Sequence, residues 1–165
     1  MSSASSRKRL TVALRVSSDD LLRYFLRRLD HEDAADALAD VMTTAWTHVD
    51  TVPGEPDEAR MWLFGVAHNV LLHTYRGNAR RSRLADRMRN ELALRNAPAA
   101  DSGAEIRDAI DRLDSDLAEL VRLIHWDGFS IVDAARLLEI PASTARGRYQ
   151  RAKDALRETL ASIAN

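Results

Sequence analysis

Apolar residues along this chain recur three and four positions apart, the spacing of one face of an α-helix. The first such stripe is Leu21, Leu22, Phe25, Leu26 and Leu29, with Ser17 or Ser18 followed by Asp19 and Asp20 as its start signal. A second helix is expected from about Asp33 to Val49, with Ala34, Leu38, Val41, Met42, Ala45 and Val49 inward. The stretch TVPGEP, Thr51 to Pro56, reads as a loop. A third helix follows from about Glu58 to Tyr75, with Ala59, Trp62, Leu63, Val66 and Val70 inward. Leu84, Met88 and Leu92 make only a thin stripe, so the segment after Arg80 reads as a weak helix. NAPAADSG, Asn96 to Gly103, has linker composition. Beyond it Ile106, Ile110 and Leu113 resume the periodicity, and a helix over about Leu117 to Trp126 stops at Gly128. The alternation in LTVAL, Leu10 to Leu14, is isolated and reads as part of an extended tail rather than a strand. The expected fold is therefore all-α. A tail over 1–16 precedes two small helical domains over 17–95 and 104–165, joined by a linker over 96–103.

The stretch from Ser130 to Lys153 breaks a helix with Pro141 and restarts it at once on a basic one. Ser130 and Asp133 form a capping pattern, Ile131 to Leu138 a first helix, Glu139 to Pro141 a turn, and Ala142 onward a second helix. Proline suits a helix start, where its missing N–H is not needed. At about 100° per residue, Ala145, Tyr149, Ala152 and Leu156 stack on one side of the second helix. The opposite side holds Ser143, Gly147, Gln150 and Asp154, flanked by Thr144, Arg146 and Arg151. Small, hydrogen-bonding and cationic groups on the exposed front of such a helix are what reading a DNA major groove requires. A helical hairpin with a solvated basic face would show the same spacing.

Charge distribution adds to this picture where the total does not. The net charge is −1, but its parts alternate in blocks. Seven acids and no Lys or Arg lie between Asp33 and Glu58, and eight arginines against two acids between Ala59 and Arg95. Residues Asn96 to Leu120 hold seven acids against two arginines, and Ser143 to Glu158 five bases against two acids. Two basic blocks far apart in sequence suggest two contacts with a polyanion. The first ends a helix with Arg76, Arg80, Arg81 and Arg83, where cations also favour the helix terminus itself. Asn69 lies on the flank of that helix with Gly65 and Arg76, and Trp62 opens it beside the loop. An aromatic, an amide and a basic end next to a loop suit unstacked bases, although Trp62 also fits a core position.

The absence of cysteine excludes disulfides, thiol chemistry and the commonest zinc ligand. The five histidines form no metal-ligand spacing, and HEDAAD lacks the second histidine of a zincin motif. Neither a nucleophile elbow nor a Gly-rich phosphate loop occurs. No catalytic residue, metal site or cofactor is expected. The chain holds no apolar run of membrane-spanning length and no signal-peptide pattern, which suits a cytoplasmic protein.

Three segments, DAADALADVMTTAW, ARMWLFGVAHN and DGFSIVDAARLLEIPASTARGRYQRAKDAL, resemble in order the extracytoplasmic-function (ECF) sigma factors of bacterial RNA polymerase. The similarity covers about Asp19 to Leu160. It implies an N-terminal domain that binds and opens the −10 promoter element and a C-terminal helix-turn-helix that binds the −35 element as duplex. By the resemblance, −35 recognition falls to Ser143, Thr144, Arg146, Gly147, Arg148, Gln150 and Arg151. Recognition and melting of the −10 element falls to Trp62, Asn69, Arg76, Arg80 and Arg81, with the loop Thr51 to Glu58 holding a flipped base. Docking on core RNA polymerase falls to Asp33, Asp36 and Asp40. The implied partners are core polymerase, promoter DNA and an anti-sigma factor, with no small-molecule substrate. The chain departs from the family at Ala35, at Ala39-Asp40 where Gln-Glu is usual, at His73 where an acid is usual, and at Gly147 and Gln150. A helix-turn-helix regulator acting without polymerase would have no need of the acidic helix together with Asn69 and its loop; a helical interaction protein that binds another regulator without DNA is a further alternative.

Overall fold

The computed structural model describes residues 2–89 and 102–164, with side chains over 4–80 and 103–164. The chain divides into two compact units, Met1–Leu94 and Arg95–Asn165. Among the described residues there are seven α-helices and one short 3-10 turn, and no strand. None of these helices is long and apolar enough to cross a membrane.

The first unit contains α1 (Ser2–Leu26), α2 (His31–Thr47), a 3-10 turn (Val49–Thr51) and α3 (Pro56–Arg89), and each helix packs on the other two. Leu10, Leu14, Leu21, Tyr24 and Phe25 of α1 meet Ala34, Ala37, Val41 and Ala45 of α2 and Leu63, Phe64, Ala67 and Leu71 of α3. Tyr24 joins α1 to α3 by an edge-to-face contact with Phe64 at 5.6 Å between ring centroids, a geometry the ring quadrupoles favour. The four alanine and valine positions of α2 let its backbone lie close to both neighbours.

The expected tail over 1–16 is instead the first half of α1. The reason lies in two serines. Ser6 and Ser17 are fully or almost fully buried and sit on the same stripe as Leu10, Leu14, Leu21 and Tyr24. Small hydroxyl residues at core positions interrupt the apolar pattern without interrupting the helix. The expected start signal at Ser17 or Ser18 is accordingly mid-helix, and the Ser18 hydroxyl donates to the Leu14 carbonyl within the turn. A hydroxyl bonded back to its own helix in this way is compatible with a helix interior.

Helix α2 starts two residues before the expected Asp33 because Asp30 caps it, its Oδ1 accepting from the Asp33 N–H at 2.8 Å. It ends at Thr47, and Val49 opens the 3-10 turn. Helix α3 is one continuous backbone helix through Arg89, longer than the expected Glu58 to Tyr75. Its buried face is also turned from the expected one. Ala59, Leu63, Phe64, Ala67 and Leu71 are buried, whereas Trp62, Val66 and Val70 are half-buried.

The second unit contains α4 (Ser102–Asp111), α5 (Ser115–His125), α6 (Ile131–Leu137) and α7 (Ala142–Ile163). Ile110, Ala118, Val121 and Ala152 form its central cluster, with Leu113, Leu117, Trp126 and Leu156 packed around it. Gly128 ends the α5 segment as expected, at φ 75°, a left-handed conformation that only glycine adopts without steric cost. That turn lets the Phe129 N–H reach the Leu123 carbonyl at 2.9 Å. Of the expected linker, residues 96–101 lie outside the described residues, while Ser102 and Gly103 already belong to α4.

Candidate nucleic-acid interface

The helix-turn-helix is built from its caps inward. Ser130 accepts the Asp133 N–H at 3.1 Å and starts α6. The turn closes with the Glu139 N–H on the Arg136 carbonyl at 3.2 Å and the Ile140 N–H on the Ala135 carbonyl at 3.0 Å. Glu139 takes φ 55°, the only positive value at a non-glycine residue among those described. Pro141 then occupies the position before α7 in extended conformation.

Helix α7 rests on two alanines. Ala145 and Ala152 are fully buried, Tyr149 and Leu156 are half-buried beside them, and this is the inward face that the spacing predicts. Ser143, Arg146, Gly147, Gln150 and Arg151 are exposed, while Thr144 and Arg148 are half-buried. A Cβ placed on Gly147 would meet nothing within 4 Å, so the glycine leaves open space at the surface of the helix. Gln150 donates to Asp154 at 3.1 Å, and Arg157 pairs with the same carboxylate at 2.9 Å. Arg148 turns back to Asp116 on α5 at 3.5 Å, so this arginine is engaged within the unit while Arg146 and Arg151 face solvent.

Two residues outside the expected site orient this helix. His125 Nε2 on α5 lies 2.7 Å from the Tyr149 hydroxyl, and the rings stack with centroids 5.8 Å apart. The Lys153 ammonium lies 4.9 Å from the Tyr149 ring centroid. Periodicity places Tyr149 inward but carries no signal for a partner 24 positions earlier in the chain.

In the first unit, Asn69, Arg76 and Arg80 are exposed on α3 and Trp62 is half-buried near its start. The Arg81 backbone continues the helix, and its side chain lies outside the described residues. The acidic residues of α2 separate into two kinds. Asp36 and Asp40 are exposed, one helical turn apart. Asp33 is half-buried and accepts a 2.7 Å hydrogen bond from Asn78 Nδ2, tying the start of α2 to α3. A groove of about 340 Å³ between α2 and α3 brings Asp40, Thr43 and Thr44 together with Asn69 and His73. The groove thus joins one of the expected docking acids to the expected −10 asparagine, and it contains the histidine that departs from the family pattern.

The comparisons with known proteins agree with this division. The model of sigma-70 region 2 matches residues 16–81, and that of sigma-70 region 4 matches residues 103–156. The ECF RNA polymerase sigma factor SigL of Mycobacterium tuberculosis H37Rv is 28% identical over 148 residues, covering 87% of this chain and 84% of the relative. The ECF sigma factor SigC of M. tuberculosis CDC 1551 is 33% identical over 101 residues, covering 59% of this chain and 55% of the relative. Among solved structures, CnrH in complex with the cytosolic domain of CnrY aligns with a TM-score of 0.68 at 21% identity, over 98% of this chain and 95% of that one. The sigma factor RpoE bound to the anti-sigma factor NepR from Bartonella quintana aligns with a TM-score of 0.65 at 24% identity, over 93% and 95% of the two chains. With regions 2 and 4 both present, in order, on two helical units, the chain belongs to the ECF sigma factors of bacterial RNA polymerase.

Proposed function

We propose that this sigma factor divides promoter recognition between the two units, with the exposed front of α7 reading the −35 duplex and the α3 side of the first unit engaging the −10 element. The observation that carries the −35 half is the arrangement of α7. Ser143, Arg146, Gly147, Gln150 and Arg151 share the exposed side, while Ala145 and Ala152 hold the opposite side in the core. Hydroxyl, amide and guanidinium groups can pair with base edges and phosphates, and the bare Gly147 backbone allows close approach. Thr144 borders this surface, and Arg148 joins it by exchanging Asp116 for a phosphate.

For the −10 element, Asn69 faces solvent in the α2–α3 groove and would hydrogen-bond an unstacked base. Trp62 lies near the loop that precedes α3 and would stack, and Arg76, Arg80 and Arg81 would neutralise the backbone of the opened strand. Unstacking a base costs a few kcal/mol, which binding in such a pocket offsets. Asp36 and Asp40 form the exposed acidic surface for core polymerase, and Asp33 braces that surface by holding α2 to Asn78. The resemblance to sigma factors captured with CnrY and NepR supports regulation by an anti-sigma factor as well. The site of action is the cytoplasm, where polymerase and promoter meet, and the chain's contribution is binding rather than catalysis.

Run-off transcription with purified core polymerase and fragmented DNA from the source organism tests this reading. Discrete transcripts that require the protein support it, and their start sites define both promoter elements. Duplex binding with no protein-dependent transcript would point to a regulator acting without polymerase.

A further inference from the structure

Asp154 is an acid on the exposed side of a helix that otherwise presents bases and neutral hydrogen-bonding groups there. Bare, it would repel the polyanion that this face is proposed to meet. Its Oδ1 instead accepts from two side chains, Gln150 Nε2 one turn before it at 3.1 Å and Arg157 Nη1 within the turn after it at 2.9 Å. The guanidinium offsets the acid's charge, and the acid fixes the glutamine. A carboxylate has no proton to give at neutral pH, so only the NH2 end of the amide can face it. Turning the amide over would set its carbonyl oxygen against a carboxylate oxygen at hydrogen-bond distance. The Gln150 carbonyl and the second N–H of its amide are what this arrangement leaves to offer a partner.

We infer that Asp154 is a positioning residue for base selection, holding the Gln150 amide in the one orientation that accepts adenine and excludes guanine. The inference rests on the reading of α7 as the −35 contact and deepens it. In the major groove adenine presents a donor, the N6 amine, beside the acceptor N7, whereas guanine presents two acceptors, O6 and N7. An amide that offers its carbonyl beside one N–H matches the adenine pair. Against guanine the carbonyl would oppose O6, and the amide could pair there only by turning over, which breaks its bond to Asp154. Glutamine and aspartate four apart already pair on isolated helices, and the exclusion of water at an interface strengthens such a bond. Asp154 thus acts by penalising the wrong base rather than by touching the right one.

The test measures affinity of the full chain for −35 duplexes in which the base pair at each position is exchanged in turn. Gln150→Ala identifies the position that Gln150 faces, as the one where base preference is lost. There the unaltered protein should favour adenine over guanine by about fivefold or more, the low end of what one good base contact is worth. Replacing that adenine with purine, which lacks the 6-amino group, should weaken binding. Asp154→Ala and Asp154→Asn should bring adenine and guanine close to parity, by a gain on guanine, with preferences at the other positions unchanged. Adding Gln150→Glu to Asp154→Ala should exclude guanine again, because a carboxylate accepts in any orientation. Far-UV circular dichroism checks that α7 persists in each variant. The inference is overturned if the Asp154 variants keep the preference, if the base facing Gln150 is not adenine, or if no position responds to Gln150→Ala. A change by the same factor for every duplex would also overturn it, leaving Asp154 as a charge near phosphates. Arg146→Ala and Arg151→Ala separate this failure from that of the wider reading: if they weaken binding while the Gln150 and Asp154 variants do nothing, α7 stays on the duplex and only the base selection falls.

Discussion

His125 of α5 and Tyr149 of α7 are joined at 2.7 Å through Nε2 and the phenolic hydroxyl, and this polar clamp meets α7 on the face where its fully buried residues are only Ala145 and Ala152. Alanines permit close packing but give a helix little to lock its rotation. The clamp supplies that lock one residue before Gln150. Tyr149→Phe keeps the stacked ring and removes the hydroxyl, so it should lower affinity for the −35 duplex severalfold while leaving the salt dependence of binding unchanged. His125→Ala should do the same, and the double variant should be no worse than either single one. Titrations of a −35 duplex at several salt concentrations measure all three, and additive losses would show that the two residues act separately.

Arg146 and Arg151 are exposed on the same helix, on the face proposed to meet the −35 duplex. Replacing each with Ala should reduce the slope of log affinity against log salt by about 1 if it contacts a phosphate. A loss confined to one promoter sequence with unchanged slope would instead mark a base contact. No effect of either kind would remove α7 from the interface.

Asp36 and Asp40 should behave differently from Asp33. The Asp36→Lys, Asp40→Lys double variant should lose association with core polymerase while keeping its helicity and melting temperature, because both side chains face solvent. Asp33→Ala removes the acceptor of the Asn78 hydrogen bond and should cost roughly 1 kcal/mol of stability in the first unit. Pull-down on core polymerase and thermal melts separate the two effects.

Glu139 sits in the turn of the helix-turn-helix at φ 55°. The left-handed conformation costs a residue with a Cβ roughly 1 kcal/mol. Glu139→Gly removes that cost and, although glycine gains freedom in the unfolded chain, should leave the second unit at least as stable in urea.

Gly147 offers a separation of stability from recognition. Its Cβ position is open, so Gly147→Ala should stabilise α7 by about 1 kcal/mol. If the bare backbone lies against DNA, the same variant should bind the −35 duplex more weakly. A variant both more stable and equally tight would show that the groove wall does not approach this turn.

Much of this molecule is legible in its periodicity. The two faces of α7, the cap at Ser130, the stop at Gly128 and the start after Pro141 all follow from local chemistry, and the structure places them as expected. The N-terminal helix was hidden because Ser6 and Ser17 occupy core positions, and burial of a small polar residue leaves no apolar mark. The core face of α3 is misjudged for a related reason. Trp62, Val66 and Val70 form one apolar stripe and Leu63, Phe64, Ala67 and Leu71 another, and only packing against α1 and α2 decides between them. Contacts between distant segments, such as Arg148 with Asp116 and Asn78 with Asp33, have no signature in either segment alone.

The two buried alanines of α7 also bear on how such a protein diversifies. Ser143, Arg146, Gly147, Gln150 and Arg151 all point away from them, so exchanging any of the five disturbs no packed side chain. Gly147 aside, exposed positions of this kind usually tolerate substitution within about 0.5 kcal/mol. If α7 reads the −35 element as proposed, promoter preference can drift by mutation along one helix face while the scaffold beneath it stays constant, and duplicated copies of the gene can part company in their targets before they differ in their fold.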